Sequence, residues 1–296
     1  MNDSFPQLLT QIESSKLSYS SLVIKKKIAS GLTADIYLAS LADSTSKDEY
    51  VIKIFHRKAD KFYMNEINYL KKKIIHPNLI KVYEWGLIKD QNDHFYNHHY
   101  IIMEYIKESD LVHIIENSTV LHNEKKIRAI VIGIIEGLTA MHQSGFIHRD
   151  IKPENILVSE TDKGNTINIK ITDFGFVDEI KSISKEKKGT RGYMSPEVIK
   201  RNITSPEGID MFSLGVLTFI LLTNEFPFDS PTEDDELYSL IIEEKWDEYW
   251  KKVGHIADIS IEAKQMFQGM ICEDAHKRFS FEQLRNCTWI KNVTPS

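Results

Sequence analysis

Two short stretches of this 296-residue chain concentrate side chains able to do chemistry. His148-Arg149-Asp150-Ile151-Lys152-Pro153-Glu154-Asn155 places an imidazole, two cations, two carboxylates and a carboxamide within eight residues, and Asp173-Phe174-Gly175 follows 18 residues after Asn155. A carboxylate can orient a hydroxyl and take its proton. Carboxylate and carboxamide oxygens suit a hard divalent cation, and a nearby lysine can neutralise an anionic group. Upstream, Lys53 closes the apolar run Val51-Ile52-Lys53, and Glu66 follows 13 residues later in a helical pattern. Either residue alone would usually be a solvated charge; their order and company single them out.

Periodicity shows what must hold these groups. Residues 1–19 are polar, with four serines, and are expected to be a flexible lead or a short docking helix. Strand-like runs follow at Leu22 to Ala29, Asp35 to Ala39 and Tyr50 to Phe55, then a helix over Phe62 to Lys73, a break at His76-Pro77-Asn78, and strands over Leu79 to Trp85 and Tyr100 to Tyr105. From Leu111 the period is mostly helical: Asn123 to Gln143 repeats apolar residues every three or four positions, and Met211 to Asn224 is an uncharged run of 14. The expectation is an α+β chain with a small β-rich first lobe (about 20–105, one main helix), a hinge at 104–109, a larger mostly α lobe (about 110–290), a cleft between them and a tail at 291–296.

Composition narrows the partners. Lys plus Arg number 37 against 43 Asp plus Glu, a net charge of −6, which gives no basic footprint for nucleic acid. The 14-residue apolar run falls short of the roughly 18 of a membrane span, so no membrane insertion is expected. Two cysteines, Cys272 and Cys287, are too few for a disulfide framework and fit a reducing, cytoplasmic setting. His94, His98 and His99 suggest a polar, solvated hairpin rather than a metal site, and Thr232-Glu233-Asp234-Asp235-Glu236 after Ser230-Pro231 reads as a helix start.

Taken in order, these motifs resemble the eukaryotic-type serine/threonine protein kinases, with Leu217 to Phe228 closest in look to the calcium/calmodulin-dependent group. The resemblance covers residues 20 to 290 and implies a bilobal kinase fold, Mg²⁺ and ATP as cofactors, and transfer of the γ-phosphoryl group to protein substrates. That reaction needs a carboxylate for the attacking hydroxyl, oxygen ligands for Mg²⁺ and cations against the phosphates. The resemblance gives Asp150 the role of base, Lys152 that of cation near the transferred group, and Asn155 and Asp173 that of metal ligands. Lys53 would hold the α- and β-phosphates with Glu66 as its ion-pair partner. Met103 would be the gatekeeper, the backbone of Glu104 and Ile106 would meet the adenine edge, and Asp110 the ribose. Thr190, in Gly189-Thr190-Arg191-Gly192-Tyr193-Met194-Ser195-Pro196-Glu197, would bond toward Asp150 and Lys152, Glu197 would pair with Arg278, and Asp210 would hold the catalytic-loop backbone. Ile36, Val51, Leu111 and Leu157 would belong to an apolar column completed by adenine, and Glu154, with Asp110, would face the peptide groove. The rival readings are a pseudokinase scaffold on the same fold and a small-molecule phosphotransferase.

The chain departs from the family where a glycine-rich loop should cover the phosphates: Ala29-Ser30-Gly31-Leu32-Thr33-Ala34-Asp35-Ile36 keeps only Gly31 of three glycines. Alanine enters φ > 0 only at a steric cost, so weaker or slower nucleotide clamping is expected. Val51, where the family usually has alanine, should narrow the adenine pocket. In many relatives the arginine before the catalytic Asp is neutralised by a phosphorylated residue; that position is here Glu186, which is expected to supply a built-in acid for Arg149, with Ser182 or Ser184 as the alternative switch.

Overall fold

The computed structural model describes residues 12–13, 21–41, 48–89, 97–107, 110–116, 123–161, 166–254 and 259–291. The chain divides into two compact units, Met1–Ile75 with Ile80–Lys107, and His76–Leu79 with Glu108–Ser296.

Among the described residues the first unit is a six-stranded antiparallel sheet and one helix. Its strands are β1 (Ile12–Glu13), β2 (Ser21–Ser30), β3 (Ala34–Leu41), β4 (Glu49–Phe55), β5 (Val82–Lys89) and β6 (Asn97–Glu104), arranged β1-β2-β3-β4-β6-β5. Helix α1 spans Asp60–Leu70. Two-residue alternation sorts β4: Tyr50, Ile52 and Ile54 join a core with Leu22, Tyr37, Ala39, Tyr100 and Ile102, which leaves Val51, Lys53 and Phe55 for the opposite face. Cross-strand pairing places Val51 opposite Met103 and Lys53 opposite Ile36, so these four share that face.

Three sequence expectations shift in this unit. Of residues 1–19 only Ile12 and Glu13 are described, and they pair as a strand with Leu22 and Ser21. Helix α1 begins two residues before Phe62 and stops three before Lys73, whose φ of +53° leaves the helical region. Its start was hidden because Ala59 offers no side-chain cap. His98 and His99 lie on β6, where His98 is buried with Nδ1 3.2 Å from the Phe55 carbonyl and His99, partly exposed, stacks on Tyr63 at 3.8 Å. His94 lies outside the described residues.

The second unit is mainly helical. It contains α2 (Leu111–Glu116), α3 (Glu124–Gln143), β7 (Phe146–Ile147), β8 (Ile156–Thr161), β9 (Thr166–Ile171), β10 (Asp178–Glu179), α4 (Pro196–Ile199), α5 (Glu207–Thr223), α6 (Glu236–Ile242), α7 (Trp246–Val253), α8 (Ile261–Ile271), α9 (Phe281–Asn286) and α10 (Thr288–Lys291). Asn123 caps α3 by accepting from the Lys126 amide at 3.1 Å, and the apolar stripe from Ile127 to Met141 is buried. Helix α5 is buried at every position from Gly208 to Thr223 and ends at Asn224 in the left-handed conformation. An aromatic cluster including Phe212, Phe219, Tyr238, Tyr249 and Phe267 packs around it. The helix start expected over Thr232 to Glu236 falls at its end: Asp235 is the N-cap of α6, its Oδ1 accepting from the Tyr238 amide at 2.8 Å, and the residues before it form a turn. Among the described residues no helix is long and apolar enough to cross a membrane.

Candidate active site

In the first unit the sheet delivers Lys53 to the partner that the resemblance implied. Lys53 Nζ lies 2.8 Å from Glu66 Oε2, and both side chains are almost fully buried. A four-residue connection from β4 to α1 suffices to bring them together, which accounts for the short 13-residue separation. Burying two charges is tolerable only in such contact. Met103 and Val51 are buried, and Ile36 is partly so. Glu104 closes the end of β6, its amide donating to the Lys81 carbonyl at 2.9 Å and its Oε1 accepting from the Lys81 amide at 2.7 Å. Ile106 follows it, half-buried.

The alanines of the β2–β3 turn carry no backbone strain. Neither Ala29, Gly31 nor Ala34 adopts a positive φ, and a Cβ on Gly31 would meet only the Ala34 carbonyl oxygen, at an ordinary 3.5 Å. The steric cost expected of alanine is therefore not incurred in this conformation.

In the second unit the loop from His148 to Asn155 is tied to a buried carboxylate. Asp210, in the first turn of α5, accepts from the His148 and Arg149 amides, each at 2.8 Å, and lies 2.7 Å from His142 Nε2. Burial alone would raise its pKa, but the hydrogen bond and charge of His142, the charge of His148 and the His148 amide outweigh it and hold the carboxyl below its ordinary 3.8. Arg149 (φ +69°) and Asp173 (φ +63°) both occupy the left-handed region, disfavoured for side-chain-bearing residues and concentrated at functional sites.

Around Asp150 the polar groups converge. Thr190 Oγ1 donates to Asp150 Oδ1 at 2.7 Å, Lys152 Nζ donates to Thr190 Oγ1 at 2.8 Å and stands 3.3 Å from Asp150 Oδ2, and Asn155 Nδ2 donates to the Asp150 carbonyl and Oδ2 at 2.8 and 3.0 Å. With both amide protons of Asn155 committed, its Oδ1 is the atom suited to a cation. The Thr172 amide donates to the Asn155 carbonyl at 3.0 Å, and His148 meets Phe174 edge-on, which couples this loop to the Asp173 segment. Asp173 Oδ1 accepts from the Gly175 amide at 3.3 Å. Asp110 Oδ1 accepts from the His113 amide at 3.0 Å and pairs as an isolated bridge with Leu157; Glu154 is exposed.

The built-in acid for Arg149 is Asp178, not the Glu186 carboxylate. The buried Arg149 guanidinium pairs with the Asp178 carboxylate and donates to the carbonyls of Ser184 and Glu186 at 3.0 and 2.9 Å, so Glu186 contributes its backbone to this site. Lys188 Nζ reaches Asp178 Oδ1 at 2.6 Å, and the Ser184 amide donates to Asp178 Oδ2 at 3.1 Å. Gly189 (φ +114°) closes the arrangement: a Cβ there would stand 2.6 Å from the Arg149 carbonyl oxygen. Glu197 and Arg278 form the expected bidentate pair at 2.7 and 2.9 Å.

Sequence reasoning missed His142, Asp178 and Lys188. His142 continues the apolar stripe of α3 four residues after Leu138, and a polar residue there was a legible signal. Asp178 and Lys188 stood in charged surroundings with nothing local to mark them.

The elements of the two units and the polar clusters within each define the protein-kinase-like class. A family model described as the protein kinase domain matches residues 22–290, and the chain belongs to that family. It is similar to the serine/threonine-protein kinase CG17528 of Drosophila melanogaster (30% identity over 247 residues, 81% of this chain and 31% of that protein). It is also similar to a calcium/calmodulin-dependent protein kinase type 1 of Macrobrachium nipponense (30% over 285 residues, 93% and 76%). The chain spans 31% of the length of the Drosophila relatives it matches.

Proposed function

We propose that the chain is an ATP-dependent serine/threonine protein kinase that transfers the γ-phosphoryl group of Mg·ATP to hydroxyls of protein substrates. The observation carrying this reading is the Asp150 cluster, in which Thr190, Lys152 and Asn155 fix one carboxylate from three directions. Asp150 would orient the substrate hydroxyl and accept its proton, and Lys152 would balance charge on the transferred group. Lys53, held by Glu66, would take the α- and β-phosphates. The oxygens of Asn155 and Asp173 fit a hard divalent cation and would hold Mg²⁺, which when bound neutralises phosphate charge. Ile36, Val51, Met103 and Leu157 would contact adenine, Glu104 and Ile106 its edge, and Asp110 the ribose.

Glu154 and Asp110 favour a modest preference for basic residues before the target, and the exposed Lys187 and Arg191 tolerate an acid after it. A cytoplasmic, protein-directed role accords with the composition. The pseudokinase reading drew its support from Ala29, Ala34 and Val51; the unstrained turn and the Lys53–Glu66 pair weigh against it. The deciding experiment incubates the chain with Mg·ATP and a mixed peptide library. Phosphoserine or phosphothreonine products lost in Asp150→Asn support the proposal; nucleotide binding without turnover supports the pseudokinase, and a strict demand for proline after the target refutes the stated preference.

A further inference from the structure

The β2–β3 turn, stripped of two family glycines, is built around a carboxylate instead. Asp35 is only 7% exposed and faces Ser30 across the pair that closes the turn. Ser30 Oγ donates to Asp35 Oδ1 at 2.6 Å, Lys27 Nζ stands 2.8 Å from the same oxygen, and His56 Nε2 lies 3.4 Å away. Burial alone would raise the pKa of Asp35, yet the bonds from Lys27, Ser30 and His56 hold it below the ordinary value. His56, directly after β4, also reaches the tip of the turn. Its Nδ1 lies 3.2 Å from the Leu32 carbonyl oxygen, which can only accept, so the ring bonds the tip when Nδ1 carries its proton and bonds Asp35 as well when both nitrogens do; its backbone amide donates to the Thr33 carbonyl at 2.8 Å. The Gly31 amide donates to the Ala34 carbonyl at 2.9 Å, completing the hairpin.

We propose that Asp35 and His56 are positioning residues that hold this turn preformed for the nucleotide phosphates, a task that relatives leave to flexible glycines. A turn of Ala29, Gly31 and Ala34 in ordinary backbone regions has little to gain from glycine freedom. What it needs is a fixed shape, and the clamp ties the strand end (Ser30), the tip (Leu32 and Thr33) and the β4 terminus (His56) to one buried anion. The inference rests on the kinase reading only for the identity of the ligand; the clamp itself is a property of the nucleotide-free chain.

The test separates the two. Hydrogen–deuterium exchange across residues 28–36 is compared, without nucleotide, among wild type, Asp35→Asn, His56→Ala and His56→Asn. Loss of one or two hydrogen bonds should speed exchange of the Gly31 to Ala34 amides about 3- to 10-fold in Asp35→Asn and His56→Ala. His56→Asn, which can still donate toward Leu32, should stay closer to wild type. His56 is partly exposed, so its variants keep the fold even where Asp35→Asn proves unstable. In steady-state assays with Mg·ATP, His56→Ala should raise KM for ATP by a similar factor with kcat changed less than about twofold, a split that a general loss of stability would not produce. Unchanged exchange in both disruptive variants overturns the clamp, and faster exchange with KM unmoved overturns its role toward nucleotide. A wild-type chain that neither binds nor turns over Mg·ATP would defeat the kinase proposal and the clamp's role toward nucleotide, while the exchange data still decide whether the clamp exists.

Discussion

The loop from His148 to Asn155 and the β2–β3 turn are both regions that the proposed reaction brings against phosphate, yet they are held in opposite ways. In the loop, Arg149, Asp150 and Asn155 are buried and held by partners near and far in sequence, among them Asp178, Thr190 and, through the His148 and Arg149 amides, the buried Asp210 of α5. In the turn, one buried carboxylate gathers a half-exposed lysine, a serine and a partly exposed histidine, all on neighbouring strands or just beyond them. The loop keeps the polar residues of the family motif, His148, Arg149, Asp150 and Asn155; the turn has lost two of its three glycines. Atoms that touch reacting groups have no substitutes, whereas a backbone shape can be secured by more than one set of side chains.

Variants that strike the loop should hurt most. Asp150→Asn should lower the transfer rate by about 10²- to 10⁴-fold with an unchanged far-UV circular dichroism spectrum, and a rate within threefold of wild type would remove Asp150 from the mechanism. Asp210→Ala should cost about 3–5 kcal/mol by stranding buried donors, read as a lower urea midpoint. Because the folded pKa of Asp210 is depressed, its contribution to stability is present above the unfolded value near 3.8 and is lost as pH falls through the lower folded value. Midpoints measured against pH should therefore fall less steeply below pH 4 in Asp210→Asn than in wild type.

Activation chemistry gives an intermediate effect. Asp178→Ala leaves a buried guanidinium without its carboxylate, and activity should drop about 10- to 100-fold, the worth of a charge-assisted bond. Glu186→Ala keeps the backbone carbonyl that Arg149 uses and should stay within about twofold. If the Glu186 variant fails while the Asp178 variant survives, the assignment of the acid is reversed. The smallest effect belongs to the turn: Ala29→Gly with Ala34→Gly should not lower KM for ATP, since neither position uses a glycine-only conformation and glycine adds backbone freedom to be lost. A clear fall in KM would show that the turn must open into such a conformation during the cycle.

How much could be read beforehand follows the same division. The strands, α3 and the buried α5 were visible because period and cap are local records of burial, and the Lys53–Glu66 pair because the resemblance pointed to it. Thr190 reaching Asp150, and Glu197 reaching Arg278 over 81 residues, were accessible only through family resemblance. Asp178 escaped both routes: choosing it over Glu186 depends on which oxygen the left-handed Arg149 presents its guanidinium to, and three-dimensional closure decides that. The turn misled for a similar reason, since glycine content speaks to permitted φ while the observed φ values never leave the region open to alanine.

The Asp178 contact bears on how such a protein could be governed. Where the partner of the loop arginine is a phosphate, a phosphatase can erase it and a second enzyme can write it back, so the protein carries a memory of upstream events. A carboxylate encoded in the chain is present from synthesis and cannot be removed. With Arg149 and Lys188 both paired to Asp178, the proposed kinase would need no phosphate at this contact, and its output would then follow how much of it is made, where it resides and which substrates it meets.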